Sequence, residues 1–446
     1  MRRIIWIFIC FFSLSIIASA QDGHDHSGHN HDHHGHDHAG HDHSGHDHAA
    51  HVGHGDHDGA HIETIGSCQI PHEDPNVFNP GKTAFHHISD QNVYSIGPVQ
   101  LPLPVIAYNH GGGGVDVFSS GKFHADAHGI GASAYNKFVL YEGSIRKIQD
   151  ASFPDGLVEL GHHRIYVKQL PDDKGTLRDV VFVCYNNKEW RADNKSTLDG
   201  GLFGGGITSF TDLSPTKNVV SMFIVFLFLV WLLRKAAKGY ETRKGQAPTG
   251  VQGLIEPIFI FIQDEVAKPF LGHKWEKFLP FLMSIFFFIL GLNLFGQVPF
   301  FGGSNVTGNL SFTLVMAVIA FIITNVNGNS HYWGHIFNMP GLPAPMKLII
   351  TPVEIMGLFI KPLTLMLRLF GNMTAGHMVI VIFVGLIFIF GQNGTNPAAG
   401  WGMTIGSGLL TLFMMAIELL VAFIQAFVFT ILTASYIGAS TEEAHH

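Results

Sequence analysis

The sequence predicts an all-α polytopic membrane protein of about five transmembrane helices, the last two a long tilted hairpin, preceded by a small, β-rich exported domain. Two asymmetries predict it. Residues 278–440, 163 in all, carry only five charged side chains: Lys347, Glu354, Lys361, Arg368 and Glu418. Residues 21–61 hold 16 of the 30 histidines and 8 aspartates, with no Lys or Arg. A back half so poor in charge excludes a single soluble globule, and a front so polar cannot build a packed core. Charged residues make up 13% of the 446, about half the usual share in soluble proteins. The net charge of −8, with no basic run in a soluble region, excludes nucleic acid as a partner.

Residues 1–20 read as a secretory signal peptide. Arg2 and Arg3 form the basic start, an apolar stretch follows, and Ala18-Ser19-Ala20 is a small-residue cleavage site. The segment is short for an anchor helix. Residues 21–61 form a disordered tract built on variations of GHDHSGHDHAGHDH. Imidazole and carboxylate suit Zn, Cu or Ni, so His24, His26, His36, His38, His46 and His48 are candidate ligands. The spacing repeats without fixed geometry and favours loose chelation over one closed site.

Residues 62–208 have ordinary composition. The stretches 137–148, 157–170 and 179–190 are rich in Val, Ile, Phe and Tyr, are punctuated by Gly and Pro, and read as strands. Cys68 and Cys184 both precede the first later span; in an oxidising compartment they could pair, and the spacing alone leaves this open. No catalytic constellation stands out. His86-His87 and His162-His163 read as surface or core histidines.

The membrane region covers residues 209–440, with 441–446 a cytoplasmic tail. Between Lys217 and Arg234 lie 16 uncharged residues, just short of a span that flanking cations lengthen by snorkelling. The next loop, residues 234–277, carries eight Lys/Arg against five Asp/Glu, which assigns it to the cytoplasm and the N-terminal domain to the opposite side. Within it, residues 255–271 look like an amphipathic segment on the membrane surface. Further spans fall near 278–299 and 310–325. Two longer apolar stretches, 348–390 and 401–437, are joined by the uncharged turn GQNGTNPAAG. The last would reach roughly 55 Å against about 30 Å of hydrocarbon, which forces strong tilt.

Ionisable groups inside a span are costly, about 2.5–3.5 kcal/mol on insertion scales, so each is a functional candidate. Lys347, Glu354, Lys361 and Arg368 recur every seven residues and nearly share one helical stripe, although Pro352 and Pro362 bend the segment. The two lysines read as interfacial anchors. Arg368 stays protonated at any physiological pH, which makes it a fixed positive charge rather than a proton carrier. No acidic residue lies within four positions of it. Glu418 and Gln425, seven apart, share a face of the last helix, and a hairpin could bring His377 to Glu418 and Arg368 to Gln425. An imidazole beside a carboxylate in low dielectric suits proton relay. Asn372, Asn293 and Gln297 add polar points.

The stretch from Glu354 through LRLFGNMTAGH to His377 resembles subunit a of the F-type ATP synthase membrane sector, and IELLVAFIQAFVFTILTASYI is similar to the last helix of that family. The likeness covers residues 209–437, roughly half the chain. It implies five spans and a tilted hairpin against a rotating ring of c subunits, with b-type peripheral stalk subunits and the F1 sector as further partners. It also implies that Arg368 faces the ring carboxylates and that Glu354, Asn372 and Gln425 match polar positions of the family. Many bacterial members carry Glu at the position of His377 and His at that of Glu418. The exchange here keeps one acid and one imidazole. The implied protein is a non-catalytic, proton-conducting stator in a bacterial inner membrane, with its N-terminal domain periplasmic and no required cofactor. Arg368 would separate two half-channels. The alternative is a His-rich divalent metal-ion transporter, which should carry paired ligands within its spans.

Overall fold

The computed structural model describes residues 61–72, 83, 88–96, 99–110, 114–126, 128–171, 177–196, 208–298, 304–339, 343–392 and 395–442. The signal-peptide and His/Asp-tract readings, and His86-His87, lie outside the described residues.

The N-terminal domain is built from small antiparallel sheets. One pairs β1 (His61–Ile65) with β2 (Cys68–His72), and another pairs β3 (Val93–Ile96) with β4 (Val99–Pro102). A third places β5 (Pro104–Asn109) between β6 (Val115–Ser119) and β14 (Phe210–Asp212). The fourth runs β10 (Leu157–Glu159), β7 (Ser133–Tyr135), β8 (Phe138–Tyr141), β9 (Ser144–Lys147). The fifth runs β11 (Ile165–Pro171), β12 (Leu177–Tyr185), β13 (Lys188–Arg191).

Two of the expected strands are whole hairpins. Residues 137–148 hold β8 and β9, turning at Glu142 and Gly143 with φ of +47° and +72°. Residues 179–190 hold β12 and β13, turning at Asn186 and Asn187 with φ of +51° and +60°. Positive φ at both central residues matches the right-handed twist of the flanking strands, and Asn and Gly tolerate it best. The run Phe138-Val139-Leu140 is apolar throughout because its sheet lies between two cores. Phe138 and Leu140 join Val105, Phe118 and Phe210, while Val139 joins Ile148, Phe153, Val183 and Trp190. Cys68 and Cys184 form a disulfide, with Cα atoms 5.9 Å apart, which ties the β1–β2 hairpin to β12.

The membrane half has seven helices of eight or more residues among the described residues: α1 (Lys217–Thr242), α2 (Val251–Phe261), α3 (Trp275–Gly296), α4 (Leu310–Val326), α5 (Ser330–Phe337), α6 (Ala344–Phe390) and α7 (Pro397–Thr441). Four helical stretches, counting 251–296 as one, are long and apolar enough to cross a membrane. There are five if α4 and α5, bent by 105°, make one broken span.

Helix α3 is apolar on every side because it is the hub. Leu282, Ile285, Phe286, Phe288 and Ile289 are fully buried among residues of α1, α4 and α7. Gly291 admits α1 closely, since a Cβ there would lie 3.0 Å from Val225. Residues 255–271 are helical and sided: Ile255, Ile262, Val266 and Leu271 turn inward, while Ile260 and Phe270 stay exposed.

Helix α6 continues through Pro352 and Pro362, and at 47 residues it is about 70 Å long. Helix α7, of 45 residues, returns antiparallel to it. Asn396 caps its start by accepting from the Ala399 amide at 3.3 Å, and Gly391 lies against Gly400, so the two backbones nearly touch at the turn. The far end of α7 is fastened by the amide of Asn329, which donates to the Ser440 carbonyl at 2.9 Å, and by Lys274 Nζ on the Thr441 carbonyl at 2.8 Å.

Candidate functional site

The hairpin of α6 and α7 gathers the ionisable residues of the spans. His377 Nδ1 lies 3.6 Å from Glu418 Oε1, and Glu418 is only 5% exposed. Glycine before the histidine leaves room for this placement of the acid: a Cβ on Gly376 would lie 2.8 Å from Glu418 Oε1. Helix α3 braces the same turn of α7. Gln297 Nε2 donates to the Glu418 carbonyl at 2.8 Å, and Asn293 Nδ2 donates to the Ala422 carbonyl at 3.1 Å. These amides use lone pairs of the helix carbonyls that intrahelical bonding leaves free.

Arg368 and Asn372 are both exposed and one turn apart on the outward side of α6. That side is otherwise apolar and uncovered along much of the hairpin, with Phe359, Leu363 and Leu367 on α6 and Ile405, Leu409 and Phe413 on α7 exposed. Among the described residues no carboxylate lies within ion-pair distance of Arg368. Gln425 is buried on α7.

Along α6 the order is Glu354, Arg368, His377. Arg368 is about 21 Å from the level of Glu354 and about 13 Å from that of His377. The fixed cation thus stands between an acid toward one end of the helix and an acid–imidazole pair toward the other.

The stripe of lysines resolves into two different settings. Lys347 Nζ donates to Asn338 Oδ1 at 2.7 Å. Lys361 Nζ lies over the Tyr436 ring, 5.4 Å from its centroid, and lines a pocket with Asn325, Tyr332, Thr324 and Pro362. Tyr332 Oη donates to Asn325 Oδ1 at 3.2 Å. The sequence reading missed Gly376, Tyr332, Asn325 and Tyr436.

The metal candidates His24, His26, His36, His38, His46 and His48 lie outside the described residues. Among the described residues no group of three or more His, Cys, Asp or Glu is arranged to hold a metal ion. His162 and His163 are exposed.

Comparison with known proteins matches this half of the chain. The family model described as ATP synthase A chain matches residues 218–438. A second, described as a domain of unknown function, matches residues 83–164. ATP synthase subunit a of Chloroherpeton thalassium is 40% identical over 239 residues, covering 53% of this chain and 69% of that protein. The subunit a of Anaeromyxobacter dehalogenans is 37% identical over 273 residues, covering 59% and 66%. ATP synthase subunit a 2 of Chlorobaculum tepidum is 39% identical over 238 residues, covering 52% and 64%. The chain thus spans about two thirds of the length of these relatives.

Proposed function

The chain belongs to the ATP synthase subunit a family, and from that premise we propose that it is the proton-conducting stator subunit of a rotary F-type ATP synthase. It is a multi-pass membrane protein of the membrane sector, and its catalytic partner is the F1 sector, reached indirectly. The observation that carries the mechanism is the order along α6, with a cation that no carboxylate pairs among the described residues exposed between Glu354 and the His377–Glu418 pair.

Protons enter from the periplasmic side by a half-channel that includes His377, Glu418 and the buried Gln425. The imidazole takes a proton on one ring nitrogen and releases it toward the carboxylate 3.6 Å away, directly or over one water. The proton then neutralises a carboxylate of a c subunit, which can move into lipid once it carries no charge. After nearly a full turn of the ring, that carboxylate meets Arg368. The guanidinium favours the ionised form, so the proton leaves by a second half-channel past Glu354 to the cytoplasm. Because Arg368 does not titrate, it cannot itself pass protons between the two half-channels. Asn372, one turn away on the same exposed side, offers a neutral hydrogen-bonding group to the passing ring.

The uncovered apolar side of α6 and α7 supports a ring of c subunits as the neighbour of Arg368. The peripheral stalk is the second partner, and lipid covers the remainder. The N-terminal domain is exported and periplasmic, and the C-terminus is cytoplasmic, as the Lys/Arg excess of residues 234–277 supports. No cofactor enters this mechanism. The histidines of the tract bind Zn, Cu or Ni loosely and stand outside proton passage. The test is ATP-driven proton pumping in membrane vesicles: replacing Arg368 abolishes it, and co-purification of the chain with a ring and a stalk identifies the complex.

A further inference from the structure

We propose that the β domain forms the outer mouth of the proton path, which runs from Asp90 past Asn218 and Ser304 to His377 and Glu418. The proposal rests on the proton-conducting reading above.

The junction between the β domain and the membrane half is polar and closed. Asp90 is 6% exposed, and its carboxylate accepts from Thr216 Oγ1 at 2.7 Å and from the amides of Asn218 and Gln91 at 3.1 Å each. The Lys217 amide donates to the Gln91 carbonyl at 2.8 Å. Up to this point the arrangement is a helix cap in which the β domain supplies the acceptor that α1 lacks on its own N-cap residue, Thr216.

A cap needs nothing beyond it, yet the polar line continues into the bundle. Ser304 Oγ donates to Asn218 Oδ1 at 3.3 Å, and both residues are nearly sealed from solvent, at 1% exposure each. The Ser304 carbonyl then reaches the level of the relay: a Cβ on Gly296 would lie 2.6 Å from that oxygen and 3.7 Å from His377 Nε2. Asn305 continues the polar lining at 3% exposure. Buried polar side chains among Val219, Met222 and Val306 are costly unless they serve one another or water.

The charged groups that face Asp90 are Lys217 from α1 and Lys195 from the segment after β13. Burial is the larger influence, and Asp90 is pushed up to about 6, where a carboxyl takes up and releases a proton near neutral pH. A proton bound on Asp90 is handed inward along water held by Thr216, Asn218 and Ser304. The carboxylate is regenerated, and only O–H and N–H bonds form and break.

The test uses the whole synthase in proteoliposomes, with passive proton conductance read after removal of F1. Asn218→Leu closes the line, and conductance falls at least fivefold with the complex still assembled. Asn218→Ser restores at least half of it. Asp90→Asn keeps the cap's acceptor and its shape, and the pH dependence of conductance around pH 6 flattens. If Asn218→Leu and Asp90→Asn both conduct like the parent with its pH profile, the mouth lies elsewhere. Glu418→Gln separates the two readings. If it blocks conductance while the junction variants do not, only the mouth is wrong; if it also conducts normally, the relay and the mouth fall together.

Discussion

Gly376 and Glu418 leave no room for a side chain between them: a Cβ at Gly376 would lie 2.8 Å from Glu418 Oε1. A side chain at Gly376 would displace that carboxylate. Gly376→Ala should push that carboxylate away from His377 at a cost of about 1–3 kcal/mol, and proton pumping should fall roughly tenfold. Adding Glu418→Asp, which shortens the acid, should return part of the rate. ATP-driven quenching of a pH dye in vesicles measures both.

The acid and the imidazole should be exchangeable as a pair. His377→Ala and Glu418→Ala should each cut pumping by tenfold or more, since each removes one half of the 3.6 Å contact. The double exchange His377→Glu with Glu418→His should retain a substantial part of the parental rate. Pumping by the double variant at the level of the single ones would mean that the chemistry is tied to the positions and not to the pair.

The disulfide between Cys68 and Cys184 closes a separation of 116 residues in a domain built of small sheets. Its loss should cost about 2–5 kcal/mol. Cys68→Ser should therefore lower the temperature at which the β domain becomes sensitive to trypsin by about 10 °C or more, with pumping at low temperature little changed.

Asp90 gives the β-domain junction a pH dependence whose sign is fixed by burial. Its folded value is raised to about 6 from 3.8, so the neutral acid is the form the junction favours. The contribution is complete below pH 4 and is lost as pH rises through 6. Asp90→Asn should remove that fall. Thermal unfolding of the parent, followed from pH 4 to pH 8, should decline more steeply than that of the variant. Asp90→Ala should be less stable than either across the range, because it also deletes the acceptor for Thr216 and Asn218.

The membrane half was legible because hydrocarbon imposes a simple code. Long uncharged runs mark the spans, and the rarity of charge singles out Arg368, Glu354 and Glu418. His377 and Glu418 lie 41 residues apart on successive helices, and the short uncharged turn between them makes their meeting readable. The rest depended on shape. Gly376 is one of 51 glycines, and only the approach of Glu418 distinguishes it. Hydropathy ends a span near Asn325, but the 105° bend that follows is a matter of backbone geometry that polar composition does not reveal. In the β domain the apolar stretches were visible, but the two-residue turns at Glu142-Gly143 and Asn186-Asn187 divide them in ways that hydrophobic pattern alone does not reveal. The junction at Asp90 was invisible for a plainer reason: 128 residues separate it from Asn218, whose amide it accepts.

The central claim is that Arg368 is the fixed charge that keeps the two half-channels apart. The most direct measurement is ATP-driven proton pumping by vesicles carrying Arg368→Ala, with ring and stalk assembly checked in the same membranes. The account predicts no pumping by an assembled complex, and passive proton leak through the membrane sector equal to or above that of the parent. Pumping at the parental rate would contradict it.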